Sequence, residues 1–165
     1  MPASDPAVLR HSLQICASLV ENPTNLGALC RTAEVFRLET LVLPDLEVSQ
    51  EWAFRQVAAS AHRWQPLEGC SPDQLTAWIR DRRAMGYGVF ALSLEEAACS
   101  LPKFAFPLKS VVILGRELTG VPSEVLEVCE GAIAIPQFGQ VESLNVHTAA
   151  AIAIYEYLRQ HALPH

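Results

Sequence analysis

The sequence has few lysines, no long apolar run and no closely spaced cysteines, and each absence excludes a class of protein. Only two lysines accompany ten arginines, and the formal net charge is −6. A chain this acidic is not a general polyanion binder, so any nucleic-acid binding must depend on a local group of arginines. No apolar stretch approaches the ~18 residues that a membrane-spanning helix needs. The five cysteines include no C-x-x-C pair, which argues against a zinc or thioredoxin-like motif.

What is present indicates a globular, reduced protein. The chain has 165 residues, of which 50% are hydrophobic and 18% charged. This length fits one domain over residues 1–165, with a core over about 13–160. Residues 1–10 contain two prolines and an aspartate but no apolar segment, so they do not resemble a secretory signal. The scattered cysteines are typical of small core residues in a cytoplasmic protein.

Short apolar runs alternate with helical stretches along the chain. The apolar runs predict strands over residues 13–20, 40–43, 64–67, 87–92, 110–114 and 132–135. The predicted helices cover residues 26–37, 49–60, 71–85, 122–129 and 144–160, the third with a capping box from Ser71 to Gln74 and a stop at Gly86. This alternation predicts an α/β fold, a parallel sheet with helices on both faces. Ligands of such sheets bind in loops beyond the carboxyl ends of strands.

The loop after the first predicted strand leads into a helix with a polar start. Asn25 can cap this helix, and a helix N-terminus at the strand ends can bind an anion. Arg31 follows six residues later and can project toward the same place. The alternative is an ordinary cap and a surface arginine.

The loop after the fifth predicted strand places two glycines around a carboxylate. Gly115 and Gly120 allow a ligand to approach the backbone, and Glu117 can accept a hydrogen bond from a hydroxyl or an amine. The segment is neither a G-x-G-x-x-G fingerprint nor a P-loop. An ordinary strand-to-helix turn remains the alternative.

The loop after the sixth predicted strand is long and polar, and it feeds the most apolar helix of the chain. Ser143 and Asn145 lie at the start of this helix. Polar side chains at such a position can cap the helix, contribute to a site, or do both.

Taken together, the three loops resemble the three motifs of the SpoU/TrmH branch of the SPOUT methyltransferase superfamily. The first motif, N-x-G-x-x-x-R, is matched by Asn25, Gly27 and Arg31. The second, L-G-x-E-x-x-G-[VLI]-P, is matched by Leu114, Gly115, Glu117, Gly120, Val121 and Pro122. The third, I-P-x-x-G-x-x-x-S-L-N-V, is matched by Ile135, Pro136, Gly139, Ser143, Leu144, Asn145 and Val146. The order of the three motifs and the spacing within each agree with the family pattern, and the resemblance covers roughly residues 13–159.

The resemblance implies transfer of a methyl group from S-adenosylmethionine to a ribose 2′-hydroxyl of RNA, leaving S-adenosylhomocysteine. It also implies a C-terminal trefoil knot formed by the loops after Leu92, Leu114 and Ile135, and a homodimer whose sites are completed by the partner subunit. The cofactor contacts carried over by position are Leu92, Gly115, Ile135, Ser143 and Leu144. No metal is implied, and a tRNA loop is the expected substrate. The apolar final helix is compatible with a subunit interface.

The same resemblance makes Arg31 the catalytic arginine, oriented together with substrate and cofactor by Asn25, Glu117, Ser143 and Asn145. A guanidinium stays protonated at almost any pH, so a phosphate clamp or stabilisation of an oxyanion is an alternative to a general base. The sequence departs from the family at His147, where serine is common, and at Arg116. A structural role is the plainer interpretation of His147, although a histidine in a pocket can titrate near neutral pH.

Binding of RNA by so acidic a chain would depend on particular arginines, namely Arg10, Arg31, Arg55, Arg63, Arg116 and those of residues 80–83. Two other functions remain open at this level. One is a catalytically inactive RNA-binding module on the same fold, against which the retained Arg31, Glu117 and Asn145 argue. The other is an unrelated α/β domain that binds a small molecule.

Overall fold

The computed structural model describes residues 9–163, so most of the N-terminal segment considered above lies outside the described residues. The strands are β1 (His11–Cys16), β2 (Leu38–Leu43), β3 (Leu67–Gly69), β4 (Gly88–Leu92), β5 (Cys99–Ser100), β6 (Ser110–Ile113) and β7 (Gly131–Ala134). The α-helices are α1 (Pro23–Val35), α2 (Trp52–Ala58), α3 (Leu75–Ala84), α4 (Ser123–Val128) and α5 (Val146–His161). Short 3₁₀ turns cover Leu46–Gln50, Ala61–Arg63, Pro72–Gln74 and Leu101–Lys103.

The strands form one sheet in the order β3-β2-β1-β6-β4-β7-β5, and each pair of neighbours is parallel. The central strand β1 lies between β2 and β6, with Ile15 opposite Leu41 on one side and Val112 on the other. The chain therefore leaves the central strands at the same edge of the sheet, where the three loops come together. The predicted parallel α/β sheet is confirmed.

Alternate residues of the strands enter two separate cores, one on each face of the sheet. Leu13 and Ile15 pack with α1, α2 and α5, whereas Cys16 packs with α3 and α4. Val112 and its neighbour Val111 divide between the faces in the same way. A strand buried on both faces is apolar throughout, which explains why the short apolar runs were detectable. Helices cover both faces, as predicted.

Three predicted helix starts are wrong. In the helix predicted over residues 49–60, residues 46–50 form a 3₁₀ turn and α2 starts only at Trp52. Asn22, not Asn25, is the N-cap of α1, and its side chain accepts a 2.9 Å hydrogen bond from the Thr24 amide. Pro23 lacks an amide hydrogen and suits the first helical position, so the helix begins three residues earlier than expected. The predicted capping box at Ser71 does not form, because residues 72–74 make a 3₁₀ turn and α3 starts only at Leu75.

Strand boundaries differ as well. β1 ends at Cys16, and residues 17–20 leave the sheet although they are buried. β3 covers 67–69 instead of 64–67, and the two-residue edge strand β5 was not predicted. Gly86 does end the α3 segment, with a φ of +91°.

All five cysteines are free, and all except Cys99 are buried. Burial raises the pKa of Cys30 to about 12 and that of Cys129 to about 11, so these thiols remain protonated and behave as small apolar core residues. Within residues 9–163, no helix has the length and apolar character that crossing a membrane requires.

Candidate active site

A cavity of about 650 Å³ opens at the carboxyl ends of β4, β6 and β7. It lies between the residues that follow these strands and the first turn of α5. Its lining includes all five residues predicted to contact the cofactor, namely Leu92, Gly115, Ile135, Ser143 and Leu144. The volume falls within the range of roughly 300–1,000 Å³ found for small-molecule sites.

A chain of hydrogen bonds joins the three motif loops beside this cavity. The side-chain amide nitrogen of Asn145 donates to the side-chain oxygen of Asn25 over 3.1 Å. The amide nitrogen of Asn25 in turn donates to Oε1 of Glu117 over 3.3 Å. Asn145 and Glu117 line the cavity, so the chain runs along its edge. Asn25 itself is outside the lining and bridges the other two.

Both ends of the Asn145 side-chain amide form hydrogen bonds. Its side-chain oxygen caps α5 by accepting hydrogen bonds from the amides of His147, at 2.9 Å, and Thr148, at 3.2 Å. Its nitrogen remains directed at Asn25. Because the cap occupies the oxygen, the orientation of the amide group is fixed and the donor is held toward the first loop.

Arg31 lies on α1, six residues beyond Asn25, or about 9 Å along the helix axis. Its side chain is exposed, and no hydrogen bond or ion pair joins it to another described residue. It is not among the residues that line the cavity of its own chain. The structure thus brings Asn25, Glu117, Ser143 and Asn145 together but leaves Arg31 outside this group.

The loop of residues 115–120 is a tight turn closed by two backbone hydrogen bonds. The Arg116 amide donates to the Gly120 carbonyl over 2.9 Å, and the Gly120 amide returns a bond of 3.0 Å. Gly120 has a φ of +73°, which favours glycine. A Cβ on Gly115 would lie 2.7 Å from the carbonyl carbon of Gly120. The side-chain direction of Gly115 is therefore filled by the turn itself, while its backbone lines the cavity.

Gly115→Val is expected to weaken ligand binding. The branched side chain must displace the backbone of Gly120 and Val121, which forms one wall of the cavity. Calorimetric titration with S-adenosylmethionine should show affinity reduced on the order of tenfold or more. Gly139→Val is the control, because a Cβ at Gly139 meets open space. Normal binding by Gly115→Val with an unchanged circular dichroism spectrum would contradict the assignment of this wall.

His147 connects α5 to α1. Its Nε2 lies 2.8 Å from the hydroxyl of Thr32, and the ring is partly buried. Burial lowers its pKa. A contact between two helices supports the structural role that the sequence suggested, and Thr32 is its partner, which sequence reasoning did not identify.

The lowered pKa of His147 predicts a loss of stability in mild acid. The unfolded chain binds the proton more readily than the folded chain, so the free energy of unfolding falls as pH decreases below the unfolded pKa of about 6.5. The contribution is fully present above that pH. Urea unfolding from pH 8 to pH 5 should show a smaller pH dependence for His147→Gln than for the unmodified chain. If the free energy of unfolding depends on pH identically in both proteins, His147 does not contribute to this dependence.

Several cavity residues were missed by the sequence reasoning. Ser93, Leu94 and Glu95 follow β4, while Val146 and Ala149 belong to the first turn of α5. The signal that could have identified the first group is their position beyond the carboxyl end of a buried strand. No group of three or more histidine, cysteine or acidic side chains that could hold a metal is found in the part of the chain that the structure describes.

Residues 12–155 match the model of the SpoU rRNA Methylase family. A tRNA (guanosine(18)-2'-O)-methyltransferase of Mus musculus is 38% identical over 151 residues, covering 92% of this chain and 10% of that protein. The enzyme of the same name from Thermus thermophilus is 35% identical, covering 93% of this chain and 79% of that protein. A yeast relative with this name is 33% identical, and this chain spans only 11% of its length. The chain thus corresponds to about a tenth of the mouse and yeast relatives.

Solved structures share the fold. The Aquifex aeolicus TrmH/SpoU tRNA modifying enzyme has a TM-score of 0.81 at 25% identity, covering 92% of this chain and 76% of that one. An AdoMet-bound rRNA methyltransferase from Sinorhizobium meliloti has a TM-score of 0.82 at 24% identity, with coverage of 94% and 59%.

Proposed function

Because the chain belongs to the SpoU rRNA methylase family, we propose that it transfers a methyl group from S-adenosylmethionine to a ribose 2′-hydroxyl of tRNA. The observation that carries this proposal is the hydrogen-bonded chain Asn145–Asn25–Glu117, which joins the three motif loops at the edge of the cavity. The names of the mouse and Thermus relatives favour guanosine 18 as the target nucleotide.

The cavity fits the proposed methyl donor in composition as well as in size. Leu92, Ile135 and Leu144 provide apolar walls for a heterocycle. Three carboxylates, those of Glu95, Glu117 and Glu142, outnumber the single guanidinium of Arg116 in the lining. This imbalance favours a ligand with a net positive charge, and S-adenosylmethionine carries a sulfonium and an ammonium against one carboxylate. The bound donor supplies an electrophilic methyl group on sulfur.

The residues of this chain position the acceptor. In the proposed arrangement, Asn25, Glu117, Ser143 and Asn145 orient the ribose and its neighbours by hydrogen bonds at the cavity edge. Arg31 binds the adjacent phosphate or stabilises the negative charge that develops on the 2′-oxygen, which a protonated guanidinium can do directly. Holding the two reactants in alignment accounts for roughly 7–11 kcal/mol of barrier reduction in favourable cases.

The proposed active form is a homodimer. Ile152 and Tyr155 lie exposed on α5, on the side of the helix that does not pack on the sheet. A partner subunit that covers this side would bury them and explain why so apolar a helix ends the fold. Light scattering of the 18.1 kDa chain is expected to give twice that mass. An active monomer in dilute solution would contradict both the dimer and a shared site.

The trefoil knot and the cytoplasmic location stay predictions. Both come from the sequence, the knot through the family resemblance and the location through cysteine usage. The five free thiols support a reducing compartment.

A labelling experiment tests the proposed reaction. Unmodified tRNA and ribosomal RNA are incubated separately with the chain and radioactive methyl donor, and the labelled nucleotide is mapped. Label on the 2′-oxygen of a tRNA nucleotide is expected, with guanosine 18 as the specific position. A chain that binds S-adenosylmethionine and RNA but transfers no label would be the inactive RNA-binding module instead.

A further inference from the structure

Several arginines that the sequence offered for RNA binding are occupied by intramolecular ion pairs. Arg10 pairs with Glu34 at 2.8 Å, Arg82 pairs with Glu68, and Arg83 lies 3.4 Å from Glu130. Their charges are largely balanced within the protein. Five of the proposed arginines form no ion pair with another described residue, namely Arg31, Arg55, Arg63, Arg80 and Arg116.

Two of these unbalanced arginines are neighbours in the chain order of elements, Arg55 on α2 and Arg63 in the 3₁₀ turn that follows it. Burial lowers the pKa of His62, and the positive charges of Arg55 and Arg63 lower it further. Arg55 is also held in place by neutral partners. Its Nε donates to the Ser49 carbonyl over 3.2 Å, and its terminal nitrogen donates to the side chain of Gln50. Its charge is fixed in position but not neutralised.

Arg31 belongs to the same side of the molecule. Helices α1 and α2 touch at Gly27, where an added Cβ would lie 2.3 Å from the Phe54 carbonyl oxygen. Arg31 follows Gly27 by four residues, so it lies one turn further along the side of α1 that meets α2. Three unbalanced guanidiniums are therefore carried by α1, α2 and the 3₁₀ turn that follows α2.

Two exposed indoles accompany these charges. Trp52 is 74% exposed and Trp64 is 66% exposed. Trp52 precedes Arg55 by three residues and shares its side of α2. Trp64 follows Arg63, and its carbonyl is held by a 2.9 Å hydrogen bond from Arg10. Exposed indoles beside unbalanced guanidiniums are the combination that binds unpaired nucleotides, because the rings stack on bases while the cations hold phosphates.

We propose that Arg31, Trp52, Arg55, Arg63 and Trp64, called here the α1–α2 surface, bind an unpaired segment of the RNA substrate. This inference rests on the proposed function. The surface continues from the same helix that carries Asn25, so a strand bound along it leads to the cavity edge. Glu51, the exposed N-cap residue of α2, is an acidic side chain that precedes Trp52 in this surface. Unpaired RNA is favoured over a duplex because bases within a helix are not available for stacking.

The test measures the affinity for unmodified tRNA over a range of salt concentrations. Trp52→Ala and Trp64→Ala should each weaken binding on the order of 5- to 150-fold, with an unchanged salt dependence. A plot of the logarithm of the association constant against the logarithm of the salt concentration has a negative slope. Arg55→Ala and Arg63→Ala should each make this slope shallower by about 0.7, the value per phosphate contact of a single strand. Arg31 is left intact because it belongs to the proposed catalytic group. Lys103→Ala, which removes an exposed cation from the 3₁₀ turn that follows the edge strand β5, should alter neither quantity.

Tryptophan fluorescence gives a second measurement that a purely structural role would not affect. The chain has three tryptophans, and Trp78 is partly buried and donates to Glu68 over 2.7 Å. Addition of tRNA should quench the emission of Trp52 and Trp64, and the quenching should disappear in the double alanine variant while Trp78 still emits.

Failure of this inference can be distinguished from failure of the proposed function. Loss of RNA affinity should raise KM for tRNA. It should change neither kcat, measured at saturating tRNA, nor the affinity for S-adenosylmethionine. If KM, RNA affinity and salt dependence are unchanged in all four variants, the proposed role of the α1–α2 surface is wrong, while the proposed methyltransferase function still stands. Variants that turn a dimer into a monomer in light scattering would overturn it too, because the surface would then be a subunit contact. A wild-type chain that binds tRNA through this surface but transfers no methyl group would refute only the proposed function.

Discussion

Arg31→Ala is expected to lower the turnover of methyl transfer by a factor of about 10²–10⁴, the range for a positioned acid–base or electrostatic group. Arg31 is exposed on α1 and forms no ion pair with another described residue, so its removal does not break a contact that stabilises the fold. The affinity for S-adenosylmethionine should be unchanged, because Arg31 is outside the cavity lining. Single-turnover transfer to tRNA and calorimetric titration measure the two effects separately.

Arg31→Lys distinguishes the roles that the position allows. A purely electrostatic role predicts partial recovery, because lysine keeps the charge. A bidentate phosphate clamp predicts almost none, because lysine lacks the planar fork. A general base predicts activity that rises with pH as the lysine loses its proton. Arg80→Ala serves as the control for removal of an exposed arginine. If Arg31→Ala has the same turnover as the unmodified chain, Arg31 has no catalytic role and is an ordinary surface residue.

The architecture could be predicted from the sequence because its strands are buried on both faces. Ile15, Val111 and Val112 need no alternation with polar residues, so each strand is a short apolar run between helices. The edge strand β5 lacks this signal, since it consists of Cys99 and Ser100 alone. The start of α1 was misplaced because Asn22 and Asn25 are both good caps, and only the preference of Pro23 for the first helical position decides between them.

The connections within the site could not be predicted from the residues alone. Asn145 and Asn25 are separated by 120 positions in the chain, and their hydrogen bond depends on how α5 and α1 pack on one face of the sheet. The motifs identified both residues but not the contact between them. The motif likewise identified Gly115, but not that a Cβ at this position would meet the backbone of Gly120 and Val121. Such a direction depends on the conformation of the whole loop.

The position of Arg31 outside the cavity of its own chain leads to a prediction about the dimer. If each site combines the cavity of one subunit with Arg31 of the other, two different inactive variants should restore activity when they form mixed dimers. Arg31→Ala retains an intact cavity, and Gly115→Val retains an intact Arg31. A mixed dimer then contains one site with both parts and one site with neither.

The expected recovery is large. Random pairing of the two variants makes half of the dimers mixed, so about a quarter of the sites in a symmetric dimer become intact. Arg31→Ala alone has lost a factor of about 10²–10⁴ in turnover, and Gly115→Val alone is assayed at an S-adenosylmethionine concentration too low for it to bind, so such recovery is easily measured. The variants are mixed after mild denaturation and refolding, and methyl transfer to tRNA is compared with that of each variant refolded alone. Activity that stays at the level of the parents, while light scattering confirms mixed dimers, would show that Arg31 serves the cavity of its own subunit.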